Sequence, residues 1–154
     1  MSSAPRLEAE ALRECCNSRH WVELMLAAEP ADGAHALLAA SEQAFDDLCQ
    51  TDWLEAFAAH SAIGAPQPGD ATGAAEQAGV QDDHDTRMAL AAANVEYQRR
   101  FGFVFLIRAA GRTGDEILAA LHDRLDNPRE MEFVNACEQQ REITALRLAS
   151  LLPT

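Results

Sequence analysis

The sequence predicts an all-α fold, a single-domain helical bundle, and three observations predict it. The chain is 48% apolar, with Ala and Leu abundant and aromatic residues at only 6%; few residues are β-branched, and that balance favours helix over strand. Apolar residues recur at three- and four-residue spacing along most of the chain. The one continuous apolar run has no second strand candidate to pair with. A length of 154 residues suits one domain with a real hydrophobic core.

The elements follow in order. Residues 1–5 are expected to fray. Leu7, Ala11 and Leu12 predict a short first helix, and Trp21, Leu24, Met25 and Ala28 a second. Pro30 and Gly33 separate these from a stronger helix, lined by Leu37, Leu38, Phe45 and Leu48 with Ala44 beside them. Thr51-Asp52 then opens another, with Asp52 as its cap and Glu55 three residues later in a capping-box pattern. Trp53, Leu54 and Phe57 form its apolar side, and His60 stands at its C-terminal end, where the helix dipole favours an imidazolium.

Residues 60–80 follow as a long loop. Gly64, Pro66, Pro68, Gly69 and Gly73 break any helix there, and Glu76-Gln77 precede Gly79. A loop of that length in a compact domain is usually functional or disordered. These residues alone leave both open: a surface loop after a helix-end histidine, or a site that a histidine enters and a Glu-Gln pair leaves.

Gln81-Asp82-Asp83-His84-Asp85 reads as the next helix start, since acidic side chains suit the positive helix end. Its spacing matches no metal-ligand motif, so no metal is expected. Met88, Leu90, Ala91, Val95 and Tyr97 continue that helix. Phe101–Ile107 is the most hydrophobic stretch, expected to run extended or helical through the core; Gly102 between two Phe residues suggests a close backbone approach. Gly111 ends it. Thr113 with Glu116 makes a second capping box ahead of Ile117, Leu118, Leu121 and Leu125. Asn127-Pro128, with Pro at the first helical position, starts the last helix, which runs to about Leu152. Val134, Cys137, Leu148 and Leu151 are predicted as its apolar stripe, with Ile143, Leu146 and Ser150 alongside. Arg147 projects near that side, where a long cation snorkels, pairs with a carboxylate or reaches a pocket.

The formal net charge of −13 repels phosphate backbones and anionic headgroups, which excludes nucleic acid and membrane as natural partners. No apolar run approaches the ~20 residues of a membrane span. The N-terminal MSSAPRLEAEALRE lacks the basic-then-apolar plan of a secretion signal. Cys15, Cys16, Cys49 and Cys137 form no Cys-x-x-Cys pair, so reduced thiols in a cytoplasmic protein are expected.

Several of these pieces together resemble the OHCU decarboxylases of purine breakdown. The resemblance is carried by His60 with Ile63-Gly64, by Glu76-Gln77-Ala78-Gly79, and by EYQRRFGFVFLI at 96–107. It continues through Gly-Arg-Thr and Glu-Ile-Leu within 111–118, Arg124-Leu125, Asn127, Glu138 and Ile-Thr-Ala-Leu-Arg-Leu at 143–148. The likeness covers most of the chain and is densest from 94 to 151.

The resemblance implies an all-helical fold, no cofactor and a small-molecule substrate, 2-oxo-4-hydroxy-4-carboxy-5-ureidoimidazoline, converted to (S)-allantoin. It makes His60 the catalytic histidine, with Glu76 and Arg147 as its catalytic companions around one small cavity. Ser61, Gly73 and Gln77 would bind substrate beside them, and the backbone of Phe105, Leu106, Ile107, Arg108 and Ala109 would line it. Related enzymes are often dimers, so the resemblance extends to a homodimer. The family commonly has Pro where Ser61 stands and Ser where Gly73 stands. Those two departures support the alternative of a non-catalytic acidic helical module that keeps the fold and has lost the reaction. A helical oligomer with carboxylate–histidine metal sites is disfavoured, because no Glu-x-x-His pair occurs.

Overall fold

A computed structural model describes residues 8–28, 33–61 and 84–151. The described residues form seven helices and no strand: α1 Ala9–Cys15, α2 Arg19–Ala28, α3 Ala34–Asp46, α4 Gln50–Ala58, α5 His84–Phe101, α6 Gly114–Leu125 and α7 Arg129–Ser150. The fold is all-α, as the composition predicts. The chain divides into two compact units, one of Met1–Ala56 with Gln140–Thr154 and one of Phe57–Gln139.

The first unit is built on an aromatic stack. Trp21 of α2, Phe45 of α3 and Trp53 of α4 are all buried, with ring centroids 5.7 Å apart for the first pair and 5.0 Å for the second. Arg141 lies over Phe45 and Trp53 at 5.3 and 5.5 Å, and its guanidinium also pairs with Glu42 and Asp46 of α3. A cation over ring faces gains electrostatically while its stem covers apolar surface. Leu12, Cys15, Val22, Met25, Leu37 and Leu148 complete the core. Burial pushes the Cys15 thiol up to about 11 and the Cys16 thiol up to about 12, so both are packing groups rather than nucleophiles.

The start of α4 departs from expectation. The helix begins two residues before Asp52, and the Trp53 amide donates to the Cys49 carbonyl at 3.2 Å. Asp52 is therefore not the cap. It sits at the third helical position and accepts from the Cys49 amide at 3.2 Å, the reverse half of a capping box. Its carboxylate also meets His20 Nδ1 of α2 at 2.7 Å.

In the second unit α5 packs on α6. The buried face of α5 is Leu90, Ala93, Asn94, Tyr97 and Phe101. Met88 and Val95, predicted to share that face, are 61% and 59% exposed and lie on the other side. The Thr113 cap is as predicted: its hydroxyl accepts from the Glu116 amide at 3.1 Å. Gly102 has φ +85°, and a Cβ there would meet Arg129 Nη2 at an ordinary 3.6 Å. The left-handed turn that ends α5, and not a close approach, explains this glycine.

α7 begins at Arg129, one residue later than predicted, with Pro128 giving its carbonyl to the Glu132 amide at 3.0 Å. Its expected stripe is also corrected, since Val134 and Leu151 are exposed. Glu132 and Ala136 are its buried residues in the second unit, and Gln140, Ile143, Thr144 and Leu148 those in the first. The buried line is half polar, which is why hydrophobicity alone misplaced it.

Candidate active site

α4 ends at Ala58, and the chain bends at His60, whose amide donates to the Phe57 carbonyl at 3.1 Å. Phe57 is fully buried, with its ring 5.5 Å from Phe103 and 5.7 Å from Phe133. The helix end that carries His60 is thereby packed onto the start of the apolar segment. His60 is half-buried, and Ser61 is buried.

That segment leaves α5 through Gly102, whose amide donates to the Gln98 carbonyl at 2.9 Å. It then runs without regular structure to a turn at Gly111 with φ +80°. Phe103–Ile107 and Ala109 are buried and Arg108 is half-buried. The expected burial holds, and of the two forms left open the segment is not helical. Its backbone polar groups are unusual. The Arg108 amide donates to Gln139 Oε1 at 2.8 Å, and the Leu106 carbonyl accepts from Arg124 Nη1 at 2.6 Å. The amides of Phe105, Leu106 and Ile107 donate to no described residue. Buried amides are nearly always paired, so these amides are open to acceptors other than the described residues, and a polar ligand is one such acceptor. Arg108 Nε is likewise buried with no partner among the described residues.

Behind the segment lies a polar cluster that hydrophobic patterning could not reveal. Glu132 is fully buried and accepts four hydrogen bonds. Tyr97 Oη and Arg124 Nε reach one oxygen at 2.8 and 2.6 Å, and Asn127 Nδ2 and Asn135 Nδ2 the other at 3.1 and 2.6 Å. Burial by itself would raise the Glu132 carboxyl, but the donors from Asn135, Asn127, Arg124 and Tyr97 together hold it below its ordinary value. Burial pushes the Tyr97 phenol well above its usual range, so it stays a donor. The available signal was the lone Tyr of the chain, together with an Arg and a Glu flanking the Asn-Pro turn.

Arg147 belongs to the first unit. It is half-buried, and its Nη1 donates to the Glu14 carbonyl at 3.2 Å. Glu76, Gln77 and Gly73, with most of the loop expected at 60–80, lie outside the described residues. Among the described residues no group of three His, Cys, Asp or Glu side chains could hold a metal ion, and no helix is long and apolar enough to cross a membrane.

Fold and site define an all-helical protein with a helix-end histidine and a buried irregular segment whose amides at Phe105, Leu106 and Ile107 donate to no described residue. A family model described as OHCU decarboxylase matches residues 3–149, and the chain belongs to that family. It is 35% identical over 147 residues to the uric acid degradation bifunctional protein TTL of Arabidopsis thaliana, a match covering 89% of this chain and 45% of that protein. It is 28% identical over 144 residues to the 2-oxo-4-hydroxy-4-carboxy-5-ureidoimidazoline decarboxylase of Haloferax volcanii, covering 91% and 86% of the two chains. The crystal structure of an OHCU decarboxylase in the presence of (S)-allantoin superposes with a TM-score of 0.80 at 33% identity, covering 94% of this chain and 98% of that one. The chain thus spans less than half of the plant bifunctional relative but nearly all of the solved decarboxylase.

Proposed function

We propose that this chain decarboxylates 2-oxo-4-hydroxy-4-carboxy-5-ureidoimidazoline to (S)-allantoin in urate breakdown, without a cofactor. The family match along nearly the whole chain carries this reading.

The substrate explains why no cofactor is needed. Its departing carboxylate stands on a carbon next to a ring carbon–nitrogen double bond. As CO2 leaves, its electron pair forms a carbon–carbon double bond and the former double bond's electrons move to nitrogen, which takes a proton. The hydroxyl-bearing carbon then becomes a carbonyl as its proton departs, and the neighbouring carbon receives a proton on one face. The protein must hold the ring, favour loss of the carboxylate and deliver that proton stereospecifically.

His60 is the acid–base group, because imidazole titrates near operating pH. Glu76 orients His60 or takes the hydroxyl proton. Gln77 both donates and accepts, which suits a ureido group, and Arg147 holds polar substrate atoms. Ser61, Gly73 and the backbone of Phe105–Ala109 line the substrate; the amides of Phe105, Leu106 and Ile107, which donate to no described residue, support the last assignment. A homodimer in the cytoplasm completes the reading, and the buried thiols of Cys15 and Cys16 suit a reducing compartment.

The test generates the unstable substrate enzymatically from urate, adds the protein and follows the optical activity of the allantoin formed. Faster appearance of one enantiomer is expected. The non-catalytic module that Ser61 and Gly73 suggest predicts the uncatalysed rate and racemic product instead. His60→Asn should abolish turnover with helicity by circular dichroism unchanged; near-normal turnover would remove His60 from the mechanism.

A further inference from the structure

Arg124 ties the buried polar cluster to the apolar segment. Its Nε meets the buried Glu132, its Nη1 meets the Leu106 carbonyl at 2.6 Å, and its guanidinium carbon stands 4.5 Å from the centre of the Phe105 ring. One planar cation thus holds the backbone of Leu106 and the side chain of Phe105 in the segment whose amides donate to no described residue. Arg124 is itself held. Its side chain is only 13% exposed, Glu132 is 0% exposed, and Nη2 also reaches the Tyr97 hydroxyl at 3.4 Å. Glu132 cannot turn to follow it, because Asn127 and Asn135 bind its second oxygen.

We infer that Arg124 is a positioning residue for the reaction: anchored by Glu132 and Tyr97, it fixes the peptide plane between Leu106 and Ile107 so that the Ile107 amide, pointing away from the tied carbonyl, faces the substrate. The inference rests on the reading of 105–109 as substrate-lining. A tied carbonyl sets the orientation of the amide that shares its peptide plane, here that of Ile107. The stacked guanidinium limits rotation at Phe105. The fork geometry matters, since carboxylate, carbonyl and ring face are engaged from different parts of one rigid plane. A lysine keeps the charge but cannot span all three. This network touches no reacting atom; it prevents that amide from turning toward partners within the protein.

The test compares wild type with Arg124→Lys in the stereochemical allantoin assay, alongside amide hydrogen exchange and thermal unfolding. Loss of the fixed amide weakens ground-state and transition-state binding alike, so KM should rise about tenfold while kcat stays within about threefold. Exchange at the Ile107 amide should quicken while that within α5 and α6 is retained. Unchanged KM and exchange, or a kcat loss that only tracks the folded fraction, would overturn the inference. If Arg124→Lys does not fold, Tyr97→Phe keeps the ring and removes one anchor; a smaller KM rise in the same direction supports the inference, and an unchanged KM sinks it. An active wild type with an unaltered variant defeats the positioning role alone, whereas an inactive wild type defeats the catalytic reading and this inference with it.

Discussion

Glu132 shows most directly what individual residues contribute here. An ionised carboxylate with 0% exposure is tolerable only because four donors surround it. Removing one partner of such a buried pair typically costs about 3–5 kcal/mol, because the other charge is stranded. The direction of its shift fixes a pH dependence. Its folded value lies below its unfolded one, so its stabilisation is present above the unfolded value, near pH ~4.3, and is lost as pH falls through the folded value. Urea unfolding across that acid range should show a steep loss of stability in the wild type and a shallower one in Glu132→Gln. Equal slopes would assign the acid sensitivity to other carboxylates. Its immediate neighbours on the helix did not mark Glu132 as buried, since a helical Glu is normally solvated and the donors that change this come from α5, α6, the turn at Asn127 and α7 itself. Thr113 is the opposite case: donor and acceptor lie three residues apart, so the motif and the structure agree.

At the scale of elements, the helices were legible and their faces were not. Local spacing finds each described helix; of the starts it predicts, that of α7 is one residue off, and the α4 cap three, at Cys49 rather than Asp52. A 3.6-residue period, however, leaves neighbouring stripes nearly equivalent when Ala fills much of the surface, as in α5, and Met88 and Val95 were drawn to the wrong one. The same holds for α7, where the buried line runs through Glu132, Gln140 and Thr144. The junction between α5 and the 103–109 segment depends on a single backbone conformation at Gly102. Alanine fits there sterically but must adopt φ near +85°, so Gly102→Ala should lower stability by about 1–2 kcal/mol. Denaturant unfolding measures this directly. A neutral result would mean that the end of α5 relaxes to negative φ without disturbing the residues beyond it.

For the molecule as a whole, the excess of 25 acidic over 12 basic residues is the dominant surface property. At that net charge the mutual repulsion of the carboxylates opposes compaction. Screening shortens its range from about 30 Å at 0.01 M salt to about 8 Å at 0.15 M. The melting temperature should therefore rise between those concentrations, as differential scanning fluorimetry in sodium chloride would register. A fall would mean that pairs such as Arg141 with Glu42 and Asp46 outweigh the net repulsion. The same surface admits an anionic substrate only where cations and amide donors collect, which is the role proposed for Arg147 and for residues 105–107.

By itself, the amino-acid string determined the helical class, the approximate extent of each helix, the Thr113 cap and, through resemblance, the family. These follow from interactions between near neighbours or from the order of motifs along the chain. Only the tertiary structure decided that Tyr97, Arg124, Asn127, Glu132 and Asn135 form one buried network behind an apolar segment, and which side of α5 and α7 faces inward. Burial and hydrogen-bond partnership depend on what a residue meets across space, and nothing in its immediate sequence surroundings specifies that.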